Sequence, residues 1–169
     1  MIFRDDDINY KTNLEQFKRT QDLFNKYQVQ HTIALIAKDM DRNPALVKYI
    51  LENDISVQLH CWTHIRMRDF SEEELNKDIG DGVLLIKLLF NKRPTILFPP
   101  WNEANDTLKK VCDNYGLKLS YEKISLDQYI RVKGDVAEDT INFHFWDKGD
   151  SELLEQALII YAKNRNRYS

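Results

Sequence analysis

Ile55-Ser56-Val57-Gln58-Leu59-His60-Cys61-Trp62-Thr63-His64 is the stretch from which the rest of the chain can be read. Apolar and polar residues alternate from Ile55 to Leu59, the period of a half-buried strand. That strand delivers His60 at its C-terminal end. His64 follows four positions later, ahead of a helix opened by the capping box Ser71-Glu72-Glu73-Glu74. Imidazole is the commonest neutral metal ligand, and two at this spacing can close on one ion. A third ligand is needed. The acidic cluster Asp5-Asp6-Asp7, directly after the apolar opening Ile2-Phe3, can supply it. Asp7, His60 and His64 are expected to hold a divalent metal, with Asp6 as a base beside it.

Outward from this strand, helices and strands alternate. A strand at Ile2-Phe3 is expected to end at Arg4 to Asp7. Thr12 or Asn13 caps a helix to about Tyr27, and His31 to Ala37 is a buried strand. Asn43-Pro44 opens a helix with Leu46, Val47, Ile50 and Leu51 inward. The helix after Ser71 runs to about Phe90, with Gly80 and Gly82 arguing against its continuity. Thr95 to Phe98 is a strand leading into Pro99-Pro100-Trp101-Asn102. A helix from about Ala104 stops at Gly116, and a strand covers Leu117 to Tyr121. Ile124 to Glu138 reads as a short strand and loops. Thr140 to Trp146 is a last strand carrying His144, and a helix from Ser151 to about Asn164 closes the chain. No linker, repeat or composition break interrupts the pattern, so one domain over residues 1–169 with mostly parallel strands is expected. Asp5 to Asp7, His60, Pro99 to Asn102 and His144 all fall at C-terminal strand ends, the edge where active sites of parallel sheets lie.

Composition narrows the function classes. A hydrophobic share of 43% and a charged share of 30% suit a folded globular domain rather than a disordered one. Net charge is −3 with no basic block, which argues against nucleic acid as a partner. The weakly basic Lys163 to Arg167 reads as a solvated helix end. No apolar run approaches the ~18 to 20 residues of a membrane span, and no signal peptide precedes Ile2, so a cytoplasmic location is expected. Cys61 and Cys112 do not make a disulfide framework. In an extended segment Cys61 points away from His60.

The order of these motifs resembles the polysaccharide deacetylases, the NodB-type domains of carbohydrate esterase family four. Phe3-Arg4-Asp5-Asp6-Asp7-Ile8 is similar to the first motif of that family, and His60 to His64 to the second, His-Ser/Thr-x-x-His. Phe98-Pro99-Pro100-Trp101-Asn102 is similar to the third motif and Phe143-His144-Phe145 to the fifth. The resemblance implies a distorted (β/α) barrel and a metal-dependent removal of acetyl groups from N-acetylated sugars or polysaccharide. It gives Asp6 the place of the catalytic base and Asp7, His60 and His64 those of the metal ligands, with zinc the expected ion. His144 takes the place of the catalytic acid. Pro100, Trp101, Asn102, Trp146 and Arg4 are expected to meet the carbohydrate. Trp101 and Trp146 offer stacking faces, and the N–H after Pro100 offers an oxyanion donor.

Four departures stand out. Phe98 replaces the third-motif Arg that orients the base, and Asn102 replaces a Gly. Arg4 or Asp5 could assume part of that Arg's role. Cys61 stands where Ser or Thr is usual, and Asp127 and Asp135 are candidates for the fourth-motif Asp. These leave two further readings open: hydrolysis of another small amide C–N bond, or a degenerate domain that binds a glycan without turnover. The motifs say nothing of oligomeric state.

Overall fold

The computed structural model describes residues 1–137 and 140–165. In chain order the elements are β1 (Ile2–Ile8), α1 (Leu14–Tyr27), β2 (His31–Ile36), α2 (Pro44–Glu52), β3 (Ser56–Cys61), α3 (Glu72–Phe90), β4 (Ile96–Leu97), α4 (Asp106–Asn114), β5 (Lys118–Leu119), β6 (Ile124–Ser125), α5 (Leu126–Arg131), β7 (Thr140–Phe143) and α6 (Lys148–Arg165). Among the described residues the strands form one seven-stranded sheet in the order β5-β4-β3-β2-β1-β7-β6. The chain packs as two compact units.

The first unit holds Met1–Asp6, Asn13–Thr32 and the described residues from Glu122 onward. β1 pairs in parallel with β7, Ile2 opposite Thr140 through Asp5 opposite Phe143, and β6 lies parallel on the other side of β7. The core is aromatic. The Phe3 ring meets Tyr161, Phe24 and Tyr129 edge-on at 5.4, 6.0 and 6.1 Å, the geometry that ring quadrupoles favour. Asn13 caps α1 by accepting from the Gln16 N–H. Helix α5 lies where a short strand and loops are expected. Its signal is the Ser125-Leu126-Asp127-Gln128 capping box, which closes in both directions.

The second unit holds Asp7–Thr12 and Ile33–Tyr121. β3, β4 and β5 run parallel, with Leu59 opposite Leu97 and Leu97 opposite Leu119. Helix α3 is unbroken across Gly80 and Gly82. Gly82 is required by packing: a Cβ there would come within 2.6 Å of Leu59 Cδ1. The missing side chain therefore lets α3 close on β3. Asn43 caps α2 and also donates to the Tyr10 carbonyl at 3.0 Å. Leu46 and Ile50 are buried on one face of that helix, whereas Leu51, expected inward, is exposed. One residue past Ile50, it is turned about 100° away.

β2, β4 and β5 are shorter than the sequence reading, and two further strand ends that bear on the site differ from it. β1 continues through Asp5, Asp6 and Asp7 to Ile8, because Arg4, Asp5 and Asp6 are buried and find polar partners inside the fold. β7 stops at Phe143, so His144 lies just beyond it. No helix among the described residues is long and apolar enough to cross a membrane. Glu138, Asn166 and Arg167 lie outside the described residues.

Candidate metal centre

Three side chains of the second unit converge. Asp7 Oδ1 lies 3.3 Å from His60 Nε2 and 3.1 Å from His64 Nε2. One ligand atom from each residue can be chosen so that all lie within 4.8 Å of one another. Each ligand is presented differently. His60 is buried at the end of β3, and its Nδ1–H donates to the Phe98 carbonyl at 2.5 Å. Asp7 has a left-handed backbone, φ 67°, which Asp tolerates better than most residues. The Asn9 amide holds its carbonyl at 2.7 Å. His64 lies beyond the strand and is partly exposed.

This donor set fits a divalent ion. With its Nδ1–H donating to Phe98, the uncharged form of His60 would present only a lone pair at Nε2, facing a carboxylate oxygen. Two acceptors at 3.3 Å repel unless a cation, proton or metal ion, sits with them. An imidazole whose other nitrogen donates to a carbonyl is the arrangement that orients a metal-binding histidine. Burial by itself would raise the Asp7 carboxyl. Imidazoles that donate to it as cations outweigh that burial and hold the carboxyl well below the usual range, and a bound metal ion would favour the carboxylate in the same sense.

The turn after Pro99 belongs to the same unit. The Trp101 ring is 4.5 Å from the His64 ring, and the Arg66 guanidinium lies 5.6 Å over the indole. Trp101 and Asn102 both have positive φ, 56° and 58°. Sterically costly backbone of this kind gathers at functional sites. Of the three residues expected here to meet a carbohydrate, Trp101 is half-exposed, Asn102 less so, and Pro100 is buried. Phe98 is fully buried and supplies its carbonyl to His60. Asp78 of α3, not singled out in the sequence, accepts from the Trp62 and Thr63 N–H groups at 2.9 and 3.4 Å. Burial raises its carboxyl against the opposing effect of those donors.

The first unit holds the other predicted residues. Asp6 Oδ2 accepts from Arg4 at 2.7 Å and from the Asn142 amide at 2.7 Å. Asp6 Oδ1 is buried and has no hydrogen-bond partner among the described residues. Arg4 is 0% exposed. Its placement corrects the expectation that it meets the carbohydrate: its guanidinium is spent on the carboxylate two residues along its own strand. Asp5 is equally buried. Its Oδ1 accepts from the Phe145 N–H at 2.9 Å, and its Oδ2 lies 3.3 Å from His31 Nε2. His31 Nδ1 in turn lies 2.9 Å from Gln21 Oε1, which leaves Nε2 as the acceptor. Burial pushes Asp5 well up and His31 down to about 3. Both directions describe a neutral pair in which protonated Asp5 donates to His31.

His144 is partnered from α6. Asp150 Oδ2 accepts from its N–H at 2.8 Å and lies 3.4 Å from its Nδ1. The half-exposed Trp146 ring is 4.9 Å from the imidazole. The expected fourth-motif candidates lie elsewhere: Asp127 pairs with Arg131 on its own helix, and Asp135 is exposed. Sequence reasoning therefore missed Asn142, Asp150 and Asp78. Only Asn142 carried a signal, two positions before His144 on an alternating strand.

Comparison with known proteins places the chain in a family. The family model described as polysaccharide deacetylase matches residues 6–120. The peptidoglycan-N-acetylglucosamine deacetylase of Bacillus cereus is 30% identical over 95 residues, 56% of this chain and 44% of that protein. The chain spans less than half the length of the curated relatives it matches. Among solved structures, a mutant with restored activity of a family 4 carbohydrate esterase pseudoenzyme aligns over 98% of this chain and 62% of that one, with TM-score 0.82 and 17% identity. Its wild-type form is from Bacillus anthracis. The family 4 acetyl xylan esterase from Clostridium thermocellum, solved with a cobalt ion, aligns over 97% and 83% with TM-score 0.77 and 18% identity. The α/β fold of parallel strands expected from the sequence is thus the fold of these esterases.

Proposed function

Because this chain belongs to the polysaccharide deacetylase family, we propose that it is a metal-dependent hydrolase removing acetyl groups from an N-acetylated sugar or polysaccharide. The observation that carries the reading is the convergence of Asp7, His60 and His64, two neutral nitrogens and one carboxylate. Such a set suits zinc and leaves coordination positions open. A bound ion would supply Lewis acidity toward the acetyl carbonyl and toward water.

The chain's own residues do the rest. Asp6 takes the proton of the attacking water through Oδ1, since Oδ2 is held by Arg4 and Asn142. His144, oriented by Asp150, delivers a proton to the departing nitrogen. Transfers of this kind contribute about 10²–10⁴-fold each. Trp101 and Trp146 are half-exposed, and a sugar ring can pack against the parts of their indoles that meet solvent. The name of the Bacillus cereus relative motivates a glycan N-acetyl group as the substrate class.

The test is metal analysis of the purified chain together with acetate release from chitooligosaccharides, peptidoglycan fragments and small amides. Asp6→Asn is expected to abolish turnover with metal still bound; full rate in that variant removes Asp6 as the base. Acetate from small amides alone would move the substrate to another C–N bond. A non-catalytic glycan-binding reading is motivated by Phe98 in place of the third-motif Arg. The Arg4 guanidinium on Asp6 opposes it, because the carboxylate keeps a cationic partner.

A further inference from the structure

In the metal-centre reading one ligand, His64, is met by the Trp101 ring but has no hydrogen bond of its own to the backbone among the described residues. His60 is fixed by its strand and by Phe98, and Asp7 by its backbone and Asn9. His64 is outside the strand and partly exposed, so its position depends on the course of the backbone from Cys61 to Thr63. That backbone is held on both sides. The carbonyls of Cys61 and Trp62 accept from the Ala37 and Lys38 N–H groups at 2.9 and 3.0 Å. The N–H groups of Trp62 and Thr63 are taken by one side chain, Asp78, which is 6% exposed.

Resting on that reading, we propose that Asp78 is the positioning residue of the metal centre, setting His64 through the backbone between the two histidine ligands. A short side chain suffices because α3 lies close to β3. Gly82, one turn after Asp78 and on the same helix face, leaves no room for a methyl group against Leu59. The helix thereby brings a carboxylate to two successive backbone donors just past the end of β3. Removing that carboxylate leaves both donors without an acceptor, and the turn must rearrange to satisfy them. His64 moves with it, while His60 and Asp7 keep their own supports. Outer partners that hold ligands in place typically change metal affinity by about 10- to 100-fold when lost.

The test uses cobalt(II) binding to the full chain, read by affinity and by the visible spectrum of the bound ion. Asp78→Ala is expected to bind cobalt about 10- to 100-fold more weakly than wild type, with a spectrum shifted toward that of His64→Ala. Asp78→Asn keeps one carbonyl oxygen for the Trp62 N–H and is expected to lie between. Leu108→Ala, a buried change in α4, serves as a destabilised control that keeps wild-type affinity and spectrum. If Asp78→Ala does not fold, the comparison of Asp78→Asn with the control decides. Wild-type affinity and spectrum in the Asp78 variants overturn the proposal while leaving the metal site standing. A wild-type chain that takes up no cobalt overturns the metal reading and this proposal together.

Discussion

The Arg4–Asp6 pair is the sharpest place to test the architecture of the first unit. Arg4→Met removes the guanidinium and keeps most of the aliphatic volume. The structure sets the magnitude: the two side chains are 0% and 6% exposed and their charged atoms are 2.7 Å apart. Unit charges about 4 Å apart at an effective dielectric of ~20 interact by about 4 kcal/mol. Breaking one side of a buried pair typically costs about 3–5 kcal/mol. Asn142 still donates to Asp6 Oδ2, so a loss near the lower end, about 3 kcal/mol, is expected at pH 7. For a chain of this size that corresponds to a midpoint lowered by roughly 6–12 °C. Urea unfolding monitored by tryptophan fluorescence, with a thermal scan beside it, measures both. Arg4→Met/Asp6→Asn leaves no stranded carboxylate and is expected to recover about 2 kcal/mol or more relative to the sum of the single changes. An Arg4→Met variant within about 1 kcal/mol of wild type, or a double variant equal to that sum, refutes the assignment of Arg4 as partner of Asp6.

Asp5→Asn mimics a protonated Asp5: its oxygen accepts from Phe145 and its amide donates to His31. The folded Asp5 resists ionisation that the unfolded chain undergoes, so wild-type stability falls as pH rises above about 4 from this group. The variant is therefore expected to match wild type near pH 4 and to gain on it toward pH 7, measured by urea midpoints across pH; a variant that loses ground as pH rises contradicts the neutral pair. Gly82→Ala forces a methyl group against Leu59 and is expected to cost about 1–3 kcal/mol despite better helix propensity, read by thermal unfolding. In activity assays on the glycan panel, His144→Ala is expected to lower kcat by about 10²–10⁴ with metal content unchanged. Asp150→Ala should lower kcat less. Equal rates for wild type and His144→Ala would remove His144 as the acid.

Much of this was open to reading along the chain. Asp7 and His60, which the structure brings together with His64, are legible because they sit near strand ends that local periodicity marks: alternation from Ile55 to Leu59 places His60, and the apolar opening places Asp7. Helices α1, α2 and α3 were found because their caps, Asn13, Asn43 and Ser71, act within three residues of themselves. Helix α5 lies in the stretch Ile124 to Glu138 that reads as a short strand and loops, although the Ser125 and Gln128 capping box marks it.

Residue types and short spacings by themselves determined that strands and helices alternate, that imidazoles and carboxylates gather near strand ends, and that Asp6 and His144 are the candidates for a base and an acid. Only the tertiary structure decided how those groups are held. Asn142 reaches Asp6 across 136 positions of sequence, and Asp78 meets the histidine turn from 16 positions away. Arg4 turned inward to Asp6 instead of outward to a substrate. The reason is physical. Periodicity reports which face of an element avoids water, an average property of neighbours in the chain, whereas the partner of a buried charge is fixed by where distant backbones come to rest.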